Sequence, residues 1–143
     1  MMKFAADRAA WAAILESLPS TVALTLTYNN TPVGMERIRA DLRKFHCHLD
    51  RELFGRRFHL HTRTVGWFVV EKLDDNPHVH AGLCLHASGV IVLDKMLEGG
   101  LWNRFAGLPA DHDCQEYRQG WASYAVKSLQ DSSTILMTAD FHR

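Results

Sequence analysis

The chain has 143 residues, 47% of them apolar, enough to bury one core and too few for two comfortable domains, so a single domain over residues 1–143 is expected. Its formal charge of zero excludes a protein that holds nucleic acid through overall basicity, and any such role must come from local charge. Three cysteines, Cys47, Cys84 and Cys114, form no CxxC pair and suit a reduced cytosolic chain better than a disulfide-stapled secreted one.

Residues 4–18 are Ala-rich, with Trp11, Ile14, Leu15 and Leu18 at helical spacing before Pro19, and predict a leading helix. Charged residues in this segment leave no room for the apolar centre of a signal peptide, and no apolar run reaches membrane-spanning length, so the expectation is a soluble, cytoplasmic protein. From residue 21 to 28 the pattern turns two-fold, with Val22, Leu24, Leu26 and Tyr28 on one face of a half-buried strand. Asn29, Asn30, Thr31 and Pro32 make a turn, and Met35, Ile38, Leu42, Phe45, Leu49 and Leu53 then trace a long amphipathic helix ending near Gly55. Residues 33–63 carry Arg37, Arg39, Arg43, Lys44, Arg51, Arg56, Arg57 and Arg63 against Glu36, Asp41, Asp50 and Glu52. This basic segment is either a DNA-facing strip or simply a solvated face.

Residues 64–72 and 78–86 read as two strands of a hairpin joined by Leu73, Asp74, Asp75, Asn76 and Pro77. Asp94 is placed to cap a helix running to Phe105, interrupted by Gly99 and Gly100. Residues 109–118 are ambiguous, with a strand the preferred reading. Residues 119–129 predict a helix with Trp121, Ala125 and Leu129 on its buried side, and residues 134–139 a last strand. Together these give an α+β fold in which helices flank an antiparallel sheet.

The chain holds three His-x-His triplets. His46 and His48 fall in the long helix, where positions two apart diverge, and are expected to be surface histidines. His59 and His61 have no carboxylate on an adjoining strand and are expected to be bystanders. On the strand of residues 78–86, Val79, Ala81, Leu83 and Leu85 share the face that should meet the core, which puts His78 and His80 side by side on the other. Glu71 closes the preceding strand, and the hairpin can bring it opposite either histidine. Two imidazoles and a carboxylate can hold Mn²⁺ or Mg²⁺ with coordination positions left open, or can simply form a cross-strand hydrogen bond. Tyr124 lies at the border of the last helix's buried stripe, with Lys127 about one turn on. An exposed phenol beside a cation is a possible nucleophile toward phosphate; a tyrosine anchoring its helix is the plainer alternative.

Taken in order, Ala23-Leu24-Thr25-Leu26-Thr27-Tyr28, then Glu71 before Pro77-His78-Val79-His80-Ala81-Gly82-Leu83, then Gly120-Trp121-Ala122-Ser123-Tyr124-Ala125-Val126-Lys127 resembles the three motifs of HUH endonucleases, specifically the single-tyrosine replication initiators. The resemblance spans most of the chain. It implies an RRM-like (ferredoxin-like) sheet whose central strand presents His78 and His80, a divalent metal held with Glu71, and Tyr124 as the nucleophile assisted by Lys127. Such an enzyme nicks single-stranded or hairpin origin DNA to start rolling-circle replication, leaving a 5′-phosphotyrosine and a free 3′ hydroxyl, in the host cell of a plasmid or virus. Without a phosphate-binding loop, unwinding is left to a host helicase and extension to a polymerase. A related transposase or relaxase, or a non-catalytic RRM-like nucleic-acid-binding module, are the alternatives. Tyr117 lies outside the motif and is expected to be structural. Trp67, sharing the face of Glu71, is a candidate platform for stacking bases, though burial is the stronger expectation.

Overall fold

The computed structural model describes residues 2–29, 31–60, 63–73, 75–107, 110–129 and 131–142, with side chains from residue 7 onward. Asn30 and Asp74 of the expected turns, His61 of the second triplet and Pro109 lie outside the described residues.

The elements run α1 (Met2–Glu16), β1 (Val22–Thr27), α2 (Met35–Phe54), β2 (Val65–Glu71), β3 (His78–Cys84), α3 (Ala87–Glu98), α4 (Leu101–Ala106), β4 (Asp111–Glu116), α5 (Trp121–Ala125) and β5 (Ile135–Met137). The strands form one sheet in the order β4-β1-β3-β2-β5, with each neighbouring pair antiparallel. Read from β1 to β4 this is the βαββαβ arrangement of ferredoxin-like folds, to which β5 adds an edge strand beside β2. The expected α+β, RRM-like architecture is therefore present, and β3 is its central strand.

Two-fold alternation gives the sheet two different faces. Leu24, Leu26, Phe68, Val79, Ala81 and Leu83 point to one side and pack against Ile38, Leu42, Phe45 and Leu49 of α2, Leu93 and Leu97 of α3, and Leu101 and Trp102 of α4. Burying a side chain of this size contributes about 1.5–3 kcal/mol, so this layer dominates the stability. The other face carries a smaller cluster, in which Leu15 of α1 and Ala122, Ala125, Val126 and Leu129 cover Trp67, Val69 and Ile135. That cover spans only part of the face.

Several elements differ from the sequence-based expectation. Asp94 caps nothing: α3 begins at Ala87, after an extended His86, and Asp94 lies inside it. The β-branched run Val90-Ile91-Val92 disguises this helix, and packing of Leu93 and Leu97 into the core overrides the low local propensity. Residues 119–129 hold only the five-residue α5, followed by turns to Ser128. The last strand is just Ile135–Met137, because the chain then winds into a short 3₁₀ turn pinned by Gly66 N–H donating to Thr138 Oγ1 at 3.0 Å. The ambiguous segment before Arg118 is β4.

Candidate active site

The register fixes what surrounds the histidine pair. Across the hairpin, Glu71 is opposite His78 and Val69 opposite His80; on the other side of β3, Thr25 is opposite His80 and Thr27 opposite His78. Side chains directly opposite share a face, so Glu71, Thr25 and both histidines project to the partly covered side of the sheet.

The imidazoles stand side by side, with centroids 6.4 Å apart and planes 24° from parallel. His78 donates its Nδ1–H to the Asn76 carbonyl at 2.6 Å, because a carbonyl can only accept, so in the neutral ring Nε2 carries the lone pair. His80 has Nδ1 3.2 Å from the Thr25 hydroxyl, which can accept a hydrogen bond from it. Its Nε2 is buried, has no hydrogen-bond partner, and points at Glu71 Oε1 from 3.7 Å, too far for a hydrogen bond. Burial is the main influence on His80 and lowers its pKa, favouring the neutral ring; Glu71 opposes this and Lys127 and His78 reinforce it.

The donor types here, two imidazoles and a carboxylate, are of the kind a divalent ion takes. Metal-binding histidines characteristically use one ring nitrogen while the other donates to a carbonyl, carboxylate or water. His78 has that arrangement, His80 can adopt it, and the partnerless Nε2 of His80 lies beside a carboxylate. Glu71, His78 and His80 are nevertheless loosely grouped, and Glu71 Oε2 is held by Lys127 Nζ at 2.6 Å.

Tyr124 is half-exposed, and its ring meets that of His80 at 5.4 Å in an edge-on contact while stacking on Trp121 at 5.4 Å and 18°. Lys127 Nζ sits 3.8 Å from the centre of the Tyr124 ring, so the one ammonium touches both the carboxylate and the phenol. The protein's other two tyrosines are tied down. Tyr28 donates to Asp41 at 2.7 Å and Tyr117 to Glu16 at 2.8 Å, and in each case burial first, then the carboxylate, pushes the phenol pKa well up. Among the described residues no hydrogen bond engages the Tyr124 hydroxyl.

An open cleft of about 500 Å³ lies in front of His78, His80, Trp121 and Tyr124, floored by Ala23 and Thr25 and rimmed by Asp113, Gln115, Glu116 and Arg118. Glu71 and Lys127 adjoin the histidines without lining this cleft. No family model, curated protein or solved structure matches the chain.

One expectation is corrected here, that His46 lies at the surface, and two open alternatives narrow, for Trp67 to the burial that was the stronger expectation. Trp67 is fully buried and cannot stack bases: Gly82 opposite it makes room for the indole, and a Cβ there would come within 2.7 Å of that ring. The basic segment lies on the wrong side for this cleft, since α2 packs on the opposite face of the sheet, and within it Arg37 pairs with Asp41 and Arg63 with Asp50. His46 is no surface residue. It is fully buried, with Nε2 2.9 Å from His142 Nε2 and 3.3 Å from Asp50 Oδ2, and these three groups are close enough to hold a metal ion. His59 is exposed on a 3₁₀ turn.

The sequence reading missed Thr25 as the partner of His80, and Trp121 as a wall of the cleft that donates its indole N–H to the Ala81 carbonyl at 2.9 Å. Thr25 alternates to the correct face in the sequence, but its pairing with β3 depends on a strand order that local pattern does not contain. Among the described residues no helix is long and apolar enough to cross a membrane.

Proposed function

We propose that this chain is a metal-dependent single-stranded DNA endonuclease of the HUH type, in which Tyr124 is the nucleophile and Glu71, His78 and His80 would hold Mn²⁺ or Mg²⁺. The observation that carries the reading is the meeting at one cleft of an exposed phenol and a buried imidazole, where neither the Tyr124 hydroxyl nor His80 Nε2 has a hydrogen-bond partner among the described residues. The order of the three sequence motifs adds to it.

In this reaction the Tyr124 oxygen bonds to phosphorus as the bond from phosphorus to the 3′ oxygen breaks. The leaving oxygen keeps that electron pair and gains a proton, matching the one lost from the phenol, so no water is consumed and a strand's 3′ hydroxyl can reverse the step. A divalent ion, when bound, supplies positive charge that polarises the phosphoryl oxygen. Lys127 adds a cation beside the phenol. Thr25 and Asn76 hold the imidazoles in orientation.

With the basic helix across the sheet, the strand would be held at the cleft by Arg118 and by bases stacking on the Trp121–Tyr124 pair. The substrate proposed is single-stranded or hairpin origin DNA of a rolling-circle element, with strand opening and extension left to a helicase and polymerase of the host. Incubation with Mn²⁺ and hairpin-bearing single-stranded oligonucleotides should yield a denaturation-resistant protein–DNA band that Tyr124→Phe abolishes. An adduct that persists in Tyr124→Phe would overturn the assignment.

A further inference from the structure

The segment that carries Tyr124 cannot hold its own shape. α5 is five residues long, less than a stable isolated helix requires, and follows Gly120, which lies in the left-handed region with φ 97° and offers no capping side chain. Its free amides are met from elsewhere. Glu16, the last residue of α1, accepts from Gly120 N–H at 3.0 Å through Oε1, and through Oε2 from the Tyr117 hydroxyl at 2.8 Å and Ala122 N–H at 3.4 Å. At the far end of the segment, Arg8 of α1 donates from Nε to the Leu129 carbonyl at 2.7 Å. Between these clamps Leu15 is fully buried in the cluster formed with Ala122, Ala125, Val126 and Leu129.

We propose that Glu16 is the positioning residue for Tyr124, and that the leading helix is a working part of the site; this rests on Tyr124 being the nucleophile. Glu16 does not line the cleft, and it acts on the phenol only through the amides that start α5. Its negative charge also suits the amide-rich start of a helical turn. Together with the Trp121 bond to the Ala81 carbonyl, these contacts set the orientation in which the Tyr124 ring meets His80. A nucleophile misplaced by about 1 Å loses on the order of a hundredfold in rate, so releasing this clamp should slow the chemistry without removing the surface that binds the strand.

The test compares full-length Glu16→Ala and Glu16→Gln with the unmodified protein, using amide hydrogen exchange at residues 120–126 and the rate of adduct formation with a hairpin oligonucleotide and Mn²⁺. In Glu16→Ala, exchange should rise about tenfold at this segment while the sheet stays protected. The saturating rate should fall about a hundredfold, with the half-saturating oligonucleotide concentration within about twofold. Glu16→Gln keeps one acceptor oxygen for Gly120 and should recover part of both; it also serves if the alanine variant does not fold. Unchanged exchange at residues 120–126, or an unchanged saturating rate, would overturn the role of Glu16. An unmodified protein that forms no adduct would instead count against Tyr124 as nucleophile, and the exchange measurement separates the two.

Discussion

Two histidine clusters lie on opposite faces of this sheet, and they handle their ring protons differently. At His46 and His142 the ligand atoms are close together, yet Asp50 already accepts from Arg63 Nε at 2.8 Å and from Thr64 N–H at 3.2 Å, and Nδ1 of His46 is buried without a partner. A buried N–H without an acceptor is costly, so the proton of His46 belongs on Nε2, directed at His142 or Asp50, and occupies the nitrogen a metal would need. At His78 and His80 the Nδ1 atoms are the partnered ones and the Nε2 atoms are left over. Proximity therefore favours the far cluster, while the hydrogen-bond pattern favours the one beside Tyr124. On the proposed function, the first would be a strut that ties α2 to the chain's last described residues, and the second the chemical site.

The largest expected effect follows from removing a ligand. His80→Ala should reduce Mn²⁺-dependent adduct formation by about a hundredfold or more, beyond what losing a hydrogen bond to a ligand causes, whereas His142→Ala at the exposed edge of the strut should leave it nearly intact. Equal losses would erase the distinction. Next, Asp50→Ala strands the largely buried Arg63 and should cost about 3–5 kcal/mol in urea unfolding, with the cutting rate per folded molecule preserved. Thr25→Val removes the hydroxyl facing His80 Nδ1 at nearly constant volume; Mn²⁺ affinity should fall about ten- to a hundredfold with little change in stability.

The smallest effect is on pH dependence. Burial lowers the pKa of His46 from 6.5 to about 4, despite the opposing pull of Asp50. Between those values the unfolded chain binds the proton and the folded one does not, so this contribution to stability is whole above pH 6.5 and is lost as pH falls toward 4. The slope should be about 1 kcal/mol per pH unit, measured by urea unfolding across that window, and should be shallower in His46→Gln.

The contrast between the clusters was only partly legible in the sequence. Two-fold alternation in residues 78–84 places both histidines opposite the apolar core face, and the short hairpin brings Glu71 near them, because these relations are local. Thr25 was not legible as a partner, since β1 reaches β3 only through a strand order that skips along the chain. The two-residue spacing of His46 and His48 does not reveal that Asp50 lies one helical turn away on the same flank, or that this flank is buried by residues some 96 positions on. Periodicity likewise tells which residues of α2 face inward, but not which side of the sheet the helix covers, and so it leaves open whether the basic segment faces the cleft. Glu16 and Arg8 lie more than a hundred residues from the amides and carbonyl they hold.

The most direct test is a Mn²⁺ titration followed by electron paramagnetic resonance on the unmodified protein, Glu71→Gln, His80→Ala and His142→Ala. The account predicts one bound ion, lost or greatly weakened in Glu71→Gln and His80→Ala and retained in His142→Ala. Binding that survives His80→Ala and vanishes with His142→Ala would place the ion on the far face of the sheet, away from Tyr124, and contradict it.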